Sequence, residues 1–84
     1  MPAANQFILY GTSACHLCEQ ALEALSSLKY DIELTMTDVS ENDLLLERYG
    51  LRIPVLRHSM SGNELNWPFG PDELCRFLDS CRQT

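Results

Sequence analysis

Two cysteines three residues apart, Cys15 and Cys18 in 11-GTSACHLCEQ-20, are the residues of this chain best placed to do chemistry. At this spacing they can close a disulfide, supply half of a four-ligand metal site, or simply share a helical face. Thiol–disulfide exchange runs through a thiolate, yet a free cysteine with pKa about 8.5 is mostly protonated at neutral pH. The open N–H groups and positive dipole end of a helix can stabilise the anion. A helix is predicted at this point, because Cys18, Ala21, Leu22, Leu25 and Leu28 recur at helical spacing with Glu19, Gln20 and Glu23 opposite. Thr12 or Ser13 is the expected N-cap, which places Cys15 in the first turn. Packing alone accounts for Cys18 on the apolar stripe, but not for Cys15 at the helix tip. His16 can stabilise a neighbouring thiolate when protonated, or be a solvated histidine on an exposed turn.

The elements around the cysteines follow from periodicity. The run 7-FILY-10, stopped by Gly11, reads as a buried strand. Ile32, Leu34 and Met36 alternate with Glu33, Thr35 and Thr37, the period of a half-buried second strand. Ser40 and Asp43 resemble a capping box ahead of a short helix over 43–49, which Gly50 stops. In 51-LRIPVLRH-58, Pro54 signals an edge, a bulge or a cis bond at the start of a strand. The turn 60-MSGNE-64 predicts an antiparallel hairpin of 55–58 with 64–67, in which His58 is expected to be exposed. Finally 70-GPDE-73 opens a helix carrying Leu74, Phe77, Leu78 and Cys81 on one stripe, with Cys75 at its margin. Trp67 and Phe69 could line a groove, although aromatics at a strand end are more often core or edge cover. The order is βαβαββα: one α/β domain over 1–84, with residues 1–6 expected to be a flexible leader.

Composition narrows the function. A chain of 84 residues has room for one small core, and 45% hydrophobic with 21% charged residues is ordinary for a globular protein. A net charge of −6 disfavours nucleic acid and anionic membranes as partners. Neither a basic, apolar N-terminal signal nor a membrane-length apolar run is present, so a cytoplasmic location is expected. Thiols are kept reduced there, and any disulfide should be transient.

A strand running into 15-CHLC-18 at a helix N-terminus, with 53-IP-54 opening the third strand and 69-FGPDE-73 preceding the last helix, resembles the thioredoxin fold in its minimal glutaredoxin form. The resemblance spans about Phe7 to Cys81, and small bacterial glutaredoxin-like proteins are most similar. It implies a four-stranded mixed sheet flanked by three helices, and a thiol–disulfide oxidoreductase acting on protein or low-molecular-weight disulfides. Cys15 would be the nucleophile, Cys18 the buried resolving thiol, and Pro54 a cis proline beside them. The main chain at Ile53 would pair with an extended thiol substrate. Thr12 stands where glutaredoxins commonly carry a basic residue for a glutathione carboxylate; Arg52 could replace that charge, and Asp72 stands where the family meets the glutathione amine. The resemblance implies a monomer with no tightly bound cofactor, reduced by glutathione or a thioredoxin system. Two other readings stand beside it. One is a metal or iron–sulfur protein whose site is completed by a second chain or glutathione; the other is a non-catalytic thioredoxin-fold interaction module.

Overall fold

The computed structural model describes residues 5–13, 15–28 and 30–82. Strand β1 (Gln6–Gly11) lies inside a four-stranded sheet of order β2-β1-β3-β4. It pairs parallel with β2 (Glu33–Asp38), from Gln6 opposite Glu33 to Gly11 opposite Asp38, and helix α1 (His16–Ser26) makes the crossover between them. On its other side β1 runs antiparallel to β3 (Val55–His58), which forms a hairpin with β4 (Glu64–Asn66). A 3-10 turn (Val39–Glu41) and helix α2 (Asp43–Tyr49) link β2 to β3, and helix α3 (Pro71–Arg82) ends the chain. The expected βαβαββα order is therefore present, with the short 3-10 turn added.

Alternation along the strands creates two apolar layers. Phe7, Leu9 and Leu56 join Ala21 and Leu25 of α1 and Leu74, Leu78 and Cys81 of α3 in the larger cluster. Tyr10 and Val55 point the other way and pack with Val39 and with Tyr49 of α2. Leu9, Leu56 and Leu74 are wholly buried, each contributing about 1.5–3 kcal/mol of burial free energy. In the hairpin turn Gly62 has φ 79°, a left-handed conformation that suits glycine.

Several local expectations are corrected. The strand begins at Gln6, and the Asn5 carbonyl accepts the Glu33 N–H at 2.8 Å, so the leader expected over 1–6 loses these two residues; residues 1–4 lie outside the described ones. Met36, expected on the buried face of its strand, is 52% exposed on β2, which is an edge strand. Asn42, rather than Ser40, caps α2: its Oδ1 accepts the N–H groups of Leu44 (2.9 Å) and Leu45 (3.1 Å), while Ser40 is held by Asp38 in the 3-10 turn. His58 is buried, not exposed. It has the same parity as Leu56, lies opposite Phe7, and its Nδ1 is 2.7 Å from Ser61 Oγ.

Candidate functional site

The C-terminal end of β1 delivers the cysteines. Gly11 pairs with Asp38 and Tyr10 with Val55, so the ends of β1 and β2 and the start of β3 share one edge of the sheet. The Trp67 N–H donates to the Pro54 carbonyl at 3.3 Å and brings the end of β4 to the same edge. Thr12, Cys15, Cys18, Ile53 and Pro54 are gathered there from two segments about forty residues apart in sequence. The Ile53–Pro54 peptide is cis, as is Trp67–Pro68.

Cys15 is itself the N-cap of α1, the position expected for Thr12 or Ser13. Its backbone is extended (φ −97°, ψ 106°), and its Sγ accepts the Cys18 N–H at 3.1 Å, doing with sulfur what a serine oxygen does at an ordinary cap. The Cys15 N–H donates to the Thr12 carbonyl at 3.3 Å, which folds the approaching loop onto the helix. Cys15 and Cys18 are joined in a disulfide with their Cα atoms 5.2 Å apart. Cys15 is half-buried, whereas Cys18 is 3% exposed beneath it. The space for Cys18 depends on Gly11: a Cβ there would lie 2.7 Å from Cys18 Sγ and 3.1 Å from its Cβ.

The other predicted residues divide. The His16 side chain is solvent-exposed, with Nδ1 3.6 Å from Glu19 Oε2 one turn along. Arg52 is engaged away from the cysteines. It donates to Asn66 Oδ1 (3.2 Å) and the Arg48 carbonyl (3.3 Å), approaches Glu64 Oε1 (3.6 Å), and lies over the Tyr49 ring. Its charge thus serves the hairpin. Asp72 is exposed in the first turn of α3. Phe69 is a core residue with Trp67 edge-on to it, so this pair covers the core end. Cys75 is half-buried on α3, and burial pushes the Cys81 thiol up in pKa, consistent with an inert packing role.

Two features were not anticipated from sequence. Tyr49 stacks on Tyr10 at 4.2 Å; its hydroxyl donates to Glu64 Oε2 (2.5 Å) and accepts from Arg57 Nη1 (3.2 Å). Burial, then the bond to Glu64, raises the Tyr49 pKa. The second is Asp38, whose Oδ1 accepts from Ser40 N–H (2.9 Å) and Ser40 Oγ (2.6 Å). These bonds, with a smaller contribution from the Ser13 N–H, hold the Asp38 carboxyl below its usual pKa. The Asp-x-Ser spacing of 38-DVS-40 is the Asx-turn signal that could have found it. Among the described residues no group of three or more His, Cys, Asp or Glu is arranged to hold a metal ion, and no helix is long and apolar enough to cross a membrane.

Residues 6–79 match the family model described as "Glutaredoxin-like domain (DUF836)". Among solved structures, the X-ray structure of target protein XcR50 from X. campestris is 40% identical, with a TM-score of 0.81 over 88% of this chain and 96% of that one. The solution structure of protein Ne2328 from Nitrosomonas europaea is 28% identical, with a TM-score of 0.76 over 92% of this chain and 94% of that one. No functionally curated protein matches the chain. The mixed sheet with three flanking helices is a thioredoxin-like α/β fold.

Proposed function

The chain belongs to the glutaredoxin-like domain family, and we propose from that premise that it is a thiol–disulfide oxidoreductase using Cys15 and Cys18. One observation carries the reading: Cys15 sits at the tip of α1, half-buried, with Cys18 buried directly behind it and within bonding distance. In the reduced protein a Cys15 thiolate would receive the Cys18 N–H and face the open end of the helix, both of which favour the anion.

Cys15 S⁻ attacks one sulfur of a substrate disulfide, forming a mixed disulfide and releasing the other substrate sulfur as a thiolate that takes a proton from solvent. Cys18, deprotonated to solvent, then attacks the Cys15 sulfur and releases the second substrate thiolate. Two electrons leave the dithiol, which becomes the Cys15–Cys18 disulfide, and the substrate disulfide becomes two thiols. Ile53 and Pro54 would offer the main chain against which an extended substrate segment lies, with Thr12 and Asp72 as its further contacts. Arg52, held by Asn66 and Glu64, is poorly available to replace the missing basic residue at Thr12, which favours protein disulfides over glutathione as substrate. The natural setting would be the cytoplasm, with a monomer re-reduced by glutathione or a thioredoxin system.

The test is to oxidise the protein and follow NADPH consumption, first with glutathione and glutathione reductase, then with thioredoxin and thioredoxin reductase. Turnover in either system, abolished by Cys15→Ser, is the expected result. Absence of turnover in both, with stoichiometric metal in the purified protein, would overturn it.

A further inference from the structure

A cleft of about 220 Å³ opens beside the loop that leads into Cys15, lined by Gly11, Thr12, Ser13, Met36, Thr37 and Asp38. It is smaller than the roughly 300 Å³ at which small-molecule sites begin, and so is the size of one side chain rather than a whole ligand. The cleft adjoins the dithiol directly: the Thr12 carbonyl is bonded to the Cys15 N–H, and Ser13 is two residues before Cys15. Among the described residues, Asp38 is its only charged lining residue. The Ser40 bonds fix that carboxylate through Oδ1 and the Ser13 N–H also bears on it, but three hydrogen-bond donors do not exhaust an ionised carboxylate, which has about four acceptor positions. Among the described residues no cation pairs with it. The exposed Met36 thioether, Gly11 and the threonine methyls supply apolar wall. An apolar stem ending in a positive charge fits this combination, as lysine and arginine side chains do when they lay their methylenes on apolar surface.

We propose that the cleft receives a lysine or arginine side chain next to the reacting cysteine of a protein disulfide, and that Asp38 is the residue that selects it. The proposal rests on the oxidoreductase reading and names its substrate class: disulfides flanked by basic residues. An anionic disulfide would meet the same carboxylate unfavourably.

Three disulfide-linked peptide dimers, identical except for Lys, Gln or Glu beside the cysteine, would be mixed with the reduced protein. Each takes two electrons from the Cys15/Cys18 dithiol and yields two peptide thiols. The expected second-order rate constant is about fivefold higher for Lys than for Gln, the upper end for a partly exposed ion pair, and lower again for Glu. The spread should shrink as salt is raised. Asp38→Asn, which keeps an acceptor for Ser40, should bring the Lys-to-Gln ratio close to one, whereas Asp31→Asn, outside the cleft, should leave the ratio as in the wild type. Equal wild-type rates for Lys and Gln peptides, or a preference surviving in Asp38→Asn, would overturn the proposal alone. Exchange with none of the peptides would overturn both it and the oxidoreductase reading. The salt dependence in the wild type decides the matter even if Asp38→Asn folds poorly: a Lys preference that does not weaken with salt is not Asp38's doing.

Discussion

Replacing Gly11 by alanine should raise the reduction potential of the dithiol. The added Cβ would lie 2.7 Å from Cys18 Sγ, closer than van der Waals contact permits, so one of the two must move. In the oxidised protein Cys18 Sγ is bonded to Cys15 and cannot turn away without carrying the N-cap with it. In the reduced protein the thiol is free to rotate about its own Cα–Cβ bond. The clash therefore falls mainly on the oxidised form. Overpacking of a buried site costs about 1–3 kcal/mol, and about 1.4 kcal/mol corresponds to 30 mV for a two-electron couple. The potential should become more positive by roughly 20–60 mV. Equilibration in dithiothreitol or glutathione redox buffers, followed by thiol alkylation and counting of free cysteines, measures it. Thermal unfolding of both forms provides the control: the oxidised protein should lose more Tm than the reduced one, at about 4–8 °C per kcal/mol for a domain of this size. An unchanged potential with equal destabilisation of both forms would refute the reasoning, since the clash would then be insensitive to the disulfide.

Tyr49→Phe removes the hydroxyl that donates to Glu64 and accepts from Arg57; because Arg57 and Glu64 remain 3.4 Å apart and can pair directly, the loss in urea unfolding should be only about 1–2 kcal/mol. Tyr30 donates to Asp79 Oδ1 at 2.9 Å, and chiefly through that bond its pKa is pushed up to about 12. A pKa raised on folding stabilises the protein fully below the free phenol value of about 10, and that contribution disappears as pH rises towards 12. Absorbance titration should show Tyr30 and Tyr49 both ionising late, and Asp79→Asn should bring only Tyr30 back towards the ordinary range. If His16 stabilises the Cys15 thiolate, His16→Ala should move the midpoint of the Cys15 alkylation rate to higher pH. Both His16 and the adjacent Glu19 are exposed and screened, and a midpoint that does not move would remove His16 from the site.

Much of the fold could be read in local pattern, because each element announces itself within a few residues: FILY before Gly11, the alternation through Ile32–Met36, the Gly-Asn turn at 62–63, the stripe on the last helix. What escaped the reading depends on neighbours distant in sequence. Met36 obeys the alternation of its strand, but its exposure is decided by β2 being an edge, which no residue in 33–38 encodes. His58 is polar yet buried, because it shares the parity of Leu56 and lies opposite Phe7. At the site, the C-x-x-C pair is evident from spacing, and the family resemblance is what points to Pro54. The hold of Asn66 and Glu64 on Arg52, and the Asp38 cleft, come from strand registers that join β1 to β2 and β3 to β4.

The capping bond made by Cys15 has a dynamic consequence. An oxygen cap is chemically constant, but in the proposed exchange cycle this sulfur would pass through thiolate, mixed disulfide and internal disulfide, and its strength as an acceptor would change each time. A thiolate accepts most strongly, because the bond is then charge-assisted. The protection of the Cys18 amide against hydrogen exchange should therefore follow the redox state of Cys15, greatest in the reduced protein at neutral pH and least when Cys15 is alkylated. The first turn of α1 would tighten and loosen once per catalytic cycle, so a single backbone proton can report which species is present.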